Sequence, residues 1–94
     1  MPRFLIEVPH EAEMVACARV VQAFLSSGSH FLAQADWGCK SGNHSAWMIV
    51  DVESQEDARS IVPLPFRPQA RIIGLNTFTM DEIDNILSGH RPAV

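Results

Sequence analysis

Hydrophobic and polar positions alternate from Arg3 to Val8, with Phe4, Ile6 and Val8 on one side and Arg3, Leu5 and Glu7 on the other. A period of two predicts a half-buried strand, which Pro9 stops. From Glu11 the period lengthens to that of a helix. Met14, Cys17, Ala18, Val21 and Leu25 form one stripe, and Glu11 and Glu13 fall in the first turn, where the helix dipole favours anions. Gly28 stands where a left-handed cap belongs, so the helix is expected over about 11–27. Two strands follow, at about 30–39 and 44–52, joined by Lys40, Ser41, Gly42 and Asn43. Ser54, three residues before Asp57, opens a second helix; Pro63, Pro65 and Pro68 end it and hold the chain extended. Ala70 to Phe78 is apolar on both faces around Gly74, as in a central or doubly covered strand. Thr79 and Glu82 begin a last helix with Ile83, Ile86 and Leu87 as its packing stripe. The tail of Gly89, His90, Arg91 and Pro92 is expected to fray.

The predicted order is β-α-β-β-α-β plus a C-terminal helix. That is an α+β, ferredoxin-like unit whose antiparallel four-stranded sheet carries its helices on one face, in a single domain spanning 1–94. A four-residue hairpin connection sets Cys39 opposite His44, Trp37 opposite Ala46, Ala35 opposite Met48, Ala33 opposite Val50 and Phe31 opposite Val52. Those inner pairs are apolar and mark the helix-covered face. His30, Leu32, Gln34 and Asp36, with Ser45, Trp47, Ile49 and Asp51, then share the other face with Leu5 and Glu7. Trp and aliphatic residues mixed with carboxylates describe an interface or a cavity wall rather than a plain solvent face. With strand one taken as parallel to strand three, His10, His30 and Asp51 collect at one end of the sheet. Asp36, Cys39 and His44 collect at the other, and Asp36 points away from the other two unless Gly38 forms a bulge.

Composition narrows the function classes. The chain has a net charge of −4, with seven basic and eleven acidic side chains and no basic run, which argues against nucleic-acid or anionic-membrane binding. Hydrophobic residues make up 47%, enough for a core, yet no stretch has the length of a membrane span and no signal-peptide pattern opens the chain. A cytoplasmic setting with two reduced cysteines is therefore expected. Trp37 and Trp47 fall on opposite faces by parity, which removes a base-stacking platform.

Element order, length and the two-sided sheet, from Arg3 to about Leu87, resemble the dimeric α+β barrel proteins. That group includes muconolactone isomerases, YCII-like proteins, antibiotic-biosynthesis monooxygenases and small nickel-binding members. The resemblance implies a homodimer with two sheets packed around a cavity. No catalytic motif accompanies it, so no residue role is carried over.

Three readings follow. The first is a homodimer holding a small organic ligand between its sheets, with Leu5, Gln34, Asp36, Trp47 and Ile49 lining the cavity. Glu7 is then the candidate acid or base of a cofactor-free isomerase or oxygenase, its proton affinity raised by an apolar wall. The second is binding of a divalent transition metal, by His10, His30 and Asp51 or by Cys39 and His44. Cys39 with His44 also makes a candidate nucleophilic pair, whereas Cys17 reads as core. The third is an assembly module whose open face is filled and binds no ligand.

Overall fold

The strand that begins the chain lies in the middle of the sheet. In the computed structural model, which describes residues 1–89, β1 (Arg3–Pro9) is paired on both edges. It runs antiparallel to β3 (Ser45–Asp51), from Arg3 opposite Asp51 to Pro9 opposite Ser45. On its other edge it runs antiparallel to β4 (Arg71–Leu75). A short β2 (Asp36–Trp37) adds to β3, giving the order β2-β3-β1-β4. Helices α1 (Met14–Ser26), α2 (His30–Ala33) and α3 (Gln55–Ile61) fill the connections, and α4 (Met80–Gly89) follows the sheet. The chain is thus α+β with a four-stranded antiparallel sheet.

Alternation decides the core. Ile6, Val8, Ala46, Met48, Val50 and Ile72 are buried on one face, under Val20 and Phe24 of α1, Leu32 of α2 and Ala58 of α3. Phe24 is the largest fully buried side chain and stands edge-on to Trp37, with ring centroids 5.0 Å apart. On the opposite face Ile49 is 63% exposed and Ile73 39%. The parity expected for β1 and β3 holds, and so do the hairpin pairs Asp36 with Trp47 and Trp37 with Ala46.

Local end signals work as their chemistry suggests. Ser54 accepts the Asp57 N–H and Thr79 accepts the Glu82 N–H, while Gly28 has φ 79° just past α1. Glu13 is not inside the first turn of α1. It caps the helix from outside, its carboxylate accepting from Val15 N at 3.0 Å and Ala16 N at 2.8 Å.

Several expectations are corrected. The packing stripes are not those expected: Met14, Ala18 and Leu25 of α1 are exposed while Val20 and Phe24 are buried, and Ile86 and Leu87 of α4 are exposed. The stretch before β2 is not a strand from residue 30. Ser29 caps a single helical turn, and Leu32 turns into the core while Phe31 and Ala33 face out, the reverse of strand parity. Leu, Ala and Gln are good helix formers, and none of the residues from Phe31 to Ala35 is β-branched. The proline-rich stretch is not extended but winds into 3-10 turns over Leu64–Gln69. Arg59 and Arg67 hold them by donating to backbone carbonyls, including Ala70 O and Val62 O. The last strand is an edge strand that stops at Leu75, its outward residues left uncovered. Finally, β1 is antiparallel to β3, not parallel to it. The tail beyond Gly89, expected to fray, lies outside the described residues.

Because Phe24 joins α1 to both Trp37 and Phe66, Phe24→Ala is expected to cost about 3–5 kcal/mol in urea denaturation. A loss below about 1 kcal/mol would mean that α1 is not seated on the sheet as described.

Candidate metal centre

The strand direction governs what assembles at the end of the sheet. Pro9 pairs with Ser45, so the residue after β1, His10, meets the residue before β3, His44; His10 N donates to His44 O at 3.0 Å. Both histidines continue the even-numbered, helix-covered face. From above, the first turn of α1 lowers Cys17 toward them, fixed by Cys17 N donating to Glu13 O. From the side, the 3-10 turn Cys39–Ser41 after β2 supplies Cys39.

That turn depends on one glycine. Gly38 O accepts from both Ser41 N and Asn43 N, and Gly38 N donates to Ser45 O, closing the chain tightly after β2. A Cβ at Gly38 would lie 2.6 Å from Asn43 O and 2.6 Å from the Trp47 ring, so any side chain would push the turn and Cys39 aside.

The result is a group of four side chains, His10, Cys17, Cys39 and His44, each offering a nitrogen or sulfur within 4.8 Å of the others. His10 Nε2 lies 3.3 Å from Cys17 Sγ and 3.2 Å from Cys39 Sγ, and the two sulfurs are 3.2 Å apart. Both cysteines are free and half-buried. A tetrahedral Zn²⁺ site with Zn–S near 2.3 Å and Zn–N near 2.0 Å has ligand-to-ligand edges of about 3.3–3.8 Å. The three observed spacings of 3.2–3.3 Å lie at the lower edge of that range, and all four atoms lie within 4.8 Å of one another.

Electrostatics mark the same place. His10 is held below the usual histidine range, chiefly by burial and further by the neighbouring His44, with the Val8 backbone partly opposing. The Cys17 thiol is pushed up by its hydrogen bond to Cys39, by burial and by charge on Cys39. His10 is thereby biased toward the neutral imidazole a metal needs. Cys17 would ionise in response to a cation placed beside it. Among the described residues, the buried side-chain polar atoms lacking a hydrogen-bond partner are His10 Nδ1 and His44 Nδ1. At His10 the orphaned atom is the ring nitrogen turned away from the sulfurs, which face Nε2, so it is not itself the atom a metal would take.

The expected ligand sets are regrouped by this geometry. His10 joins Cys39 and His44 rather than His30 and Asp51, because antiparallel pairing brings the end of β1 to the start of β3. His30 begins α2, exposed, with its ring against Phe31 at 5.9 Å. Asp51 sits at the other end of β3, opposite Arg3. Cys17, expected in the core, is instead a member of the group. Of the stripe it was assigned to, Met14, Ala18 and Leu25 are exposed, because α1 seats on the sheet through Val20 and Phe24. The antiparallel relation was available from sequence: a β-α-β crossover makes strands one and two parallel, and the hairpin then reverses strand three.

On the open face, Leu5, Gln34, Asp36, Trp47 and Ile49 do border one hollow of about 200 Å³. That is below the range of about 300–1,000 Å³ usual for small-molecule pockets. Glu7 accepts from Trp47 Nε1 at 2.9 Å through one oxygen and from Arg71 at 3.1 Å through the other. Comparison with known proteins adds no assignment: no family model, curated protein or solved structure matches the chain.

The cap that sets the start of α1 also sets Cys17, and its pH dependence can be read. The backbone N–H groups of Val15 and Ala16 lower the Glu13 pKa from its ordinary value of 4.5. Its contribution is therefore present above pH 4.5 and is lost as pH falls through the lowered folded value. Glu13→Gln should melt below the wild type at neutral pH, and the gap should shrink under acid conditions. A gap independent of pH in thermal melts would show that the charge does not act at the cap.

Proposed function

We propose that this chain binds one transition-metal ion of the Zn²⁺ type through His10, Cys17, Cys39 and His44. The observation that carries the reading is the convergence of two sulfurs and two imidazoles, from β1, α1 and the β2–β3 turn, within 4.8 Å. Two thiolates and two imidazoles form a closed tetrahedral donor set that favours Zn²⁺ over harder divalent ions such as Mg²⁺ or Ca²⁺. Four protein ligands leave no open coordination position, so the metal's role is structural or sensory rather than hydrolytic. A bound ion would tie together segments that otherwise share few contacts, since β2 is only two residues long.

Protein purified without a histidine tag should carry one zinc per chain by native mass spectrometry, and chelation should lower its melting temperature. For a domain of this size each kcal/mol of linkage is worth about 4–8 °C. Cys17→Ser and His44→Ala should each lose the metal, while His30→Ala and Asp51→Asn keep it. Undiminished zinc in Cys17→Ser and His44→Ala would refute the site.

A second reading concerns the open face. The strand order and the two crossover connections support a ferredoxin-like description, and the sheet's uncovered side supports a homodimer. Among the described residues, large apolar side chains stay exposed on this side and beyond it. Ile49 and Ile73 are exposed on the open face, and α4 has no buried residue. A second copy covering Leu5, Trp47 and Ile49 would enclose the shallow hollow and enlarge it into a ligand cavity. Sedimentation should then report a dimer, which Ile49→Asp breaks without unfolding the chain, since Ile49 faces away from the core. A wild-type monomer at high concentration would remove this reading.

A further inference from the structure

A groove of about 590 Å³ runs between α1 and the β2 edge, walled by Met14, Ala18, Val21, Ala35 and Trp37. Its lining includes both sulfur-bearing side chains, Cys17 and Cys39, with Asp36 and Lys40 adding one charge of each sign. The groove is therefore an apolar channel that reaches a pair of thiols 3.2 Å apart. Zinc coordination alone does not require such access. A structural site is normally shielded, yet here both sulfur ligands border a space large enough for a small organic molecule.

We propose that the Cys17–Cys39 pair is a two-electron redox centre that reacts with organic hydroperoxides, whose apolar body the groove receives. One sulfur attacks the terminal peroxide oxygen, forming an S–O bond as the O–O bond breaks. The alkoxide leaves as an alcohol, taking up the thiol proton. The second sulfur then attacks the first, forming the S–S bond as the S–O bond breaks, and hydroxide leaves as water with the second thiol proton. Two thiols and one hydroperoxide thus give one disulfide, one alcohol and one water. In the metal-loaded protein the sulfurs start as thiolates, solvent supplies the two protons, and Zn²⁺ leaves because a disulfide no longer provides two anionic ligands. Metal release rests on the metal-binding reading above; disulfide formation does not.

Proximity supports the second step. The sulfurs need to close by little more than 1 Å to reach a bond length of about 2.05 Å. The groove supports the substrate class. Hydrogen peroxide has no apolar body to bind there, so selectivity should follow the organic part of the oxidant.

The test uses reduced, metal-free wild-type protein treated in parallel with cumene hydroperoxide and hydrogen peroxide. The readout is loss of two hydrogens by intact mass and loss of free thiol. After normalising each rate to that of free cysteine, cumene hydroperoxide should be faster by about ten-fold or more, the smallest factor expected of apolar binding. Ala18→Trp, an exposed position on α1 that borders the groove, should lower the cumene hydroperoxide rate toward that of hydrogen peroxide. Repeating the reaction on zinc-loaded protein with a chromogenic chelator should show one zinc released per disulfide. Equal normalised rates for the two oxidants, or no Cys17–Cys39 disulfide in the peptide map, would overturn the proposal. Selective disulfide formation in a protein that takes up no zinc would overturn the metal reading instead and leave this one standing.

Discussion

The antiparallel register of β1 against β3 is the constraint on which the rest of this protein depends. It sets Ile6 opposite Met48 and Val8 opposite Ala46, all buried, and leaves Leu5, Glu7, Trp47 and Ile49 on the uncovered side. A slip of one residue would exchange the faces entirely, exposing the core and burying a carboxylate. The same register runs one step beyond the ladder and brings His10 to His44. Core and candidate site are consequences of a single pairing.

What assembles beyond that ladder draws on elements that have little else in common. The first turn of α1 contributes Cys17, the turn after β2 contributes Cys39, and each is positioned by a distinct local device. Glu13 starts the helix; Gly38 lets the turn pass close to the Trp47 ring. A group built this way is sensitive to the state of its own sulfurs. As thiolates they can hold a cation that joins α1 to the hairpin, and as a disulfide they join the same two elements directly. Either state cross-links a region in which β2 supplies only two residues of sheet.

The open face poses a different physical problem. Leu5 lies between Ile49 and Ile73, and beside that apolar row Glu7 is tethered by Trp47 and Arg71, so the face is neither polar enough for a solvent surface nor closed enough for a core. The Arg71–Glu7 pair is largely exposed on the arginine side and stabilises the fold by about 1 kcal/mol at most. Its more useful effect is to hold Glu7 in place beside the indole. The His/Cys group lies on the covered side, so whatever meets this face does not compete with it.

Much of this was legible in the chain because it is local. The alternation of Arg3 to Val8, the caps at Ser54 and Thr79, Gly28 after α1 and the pairing of Trp37 with Ala46 each depend on a few neighbouring residues. The stretch from His30 to Ala35 was not legible. A short apolar run suits a strand or a helical turn equally, and only packing of Leu32 into the core settles which. Cys17 shows the limit most clearly. Helical periodicity placed it in a stripe with Met14, Ala18 and Leu25, which are exposed, whereas the buried face of α1 is that of Val20 and Phe24 with Cys17 at its margin. Tertiary structure alone decided that two histidines and a second cysteine stand there, because residues 10, 17, 39 and 44 meet only when the strand order and direction close one end of the sheet beneath α1.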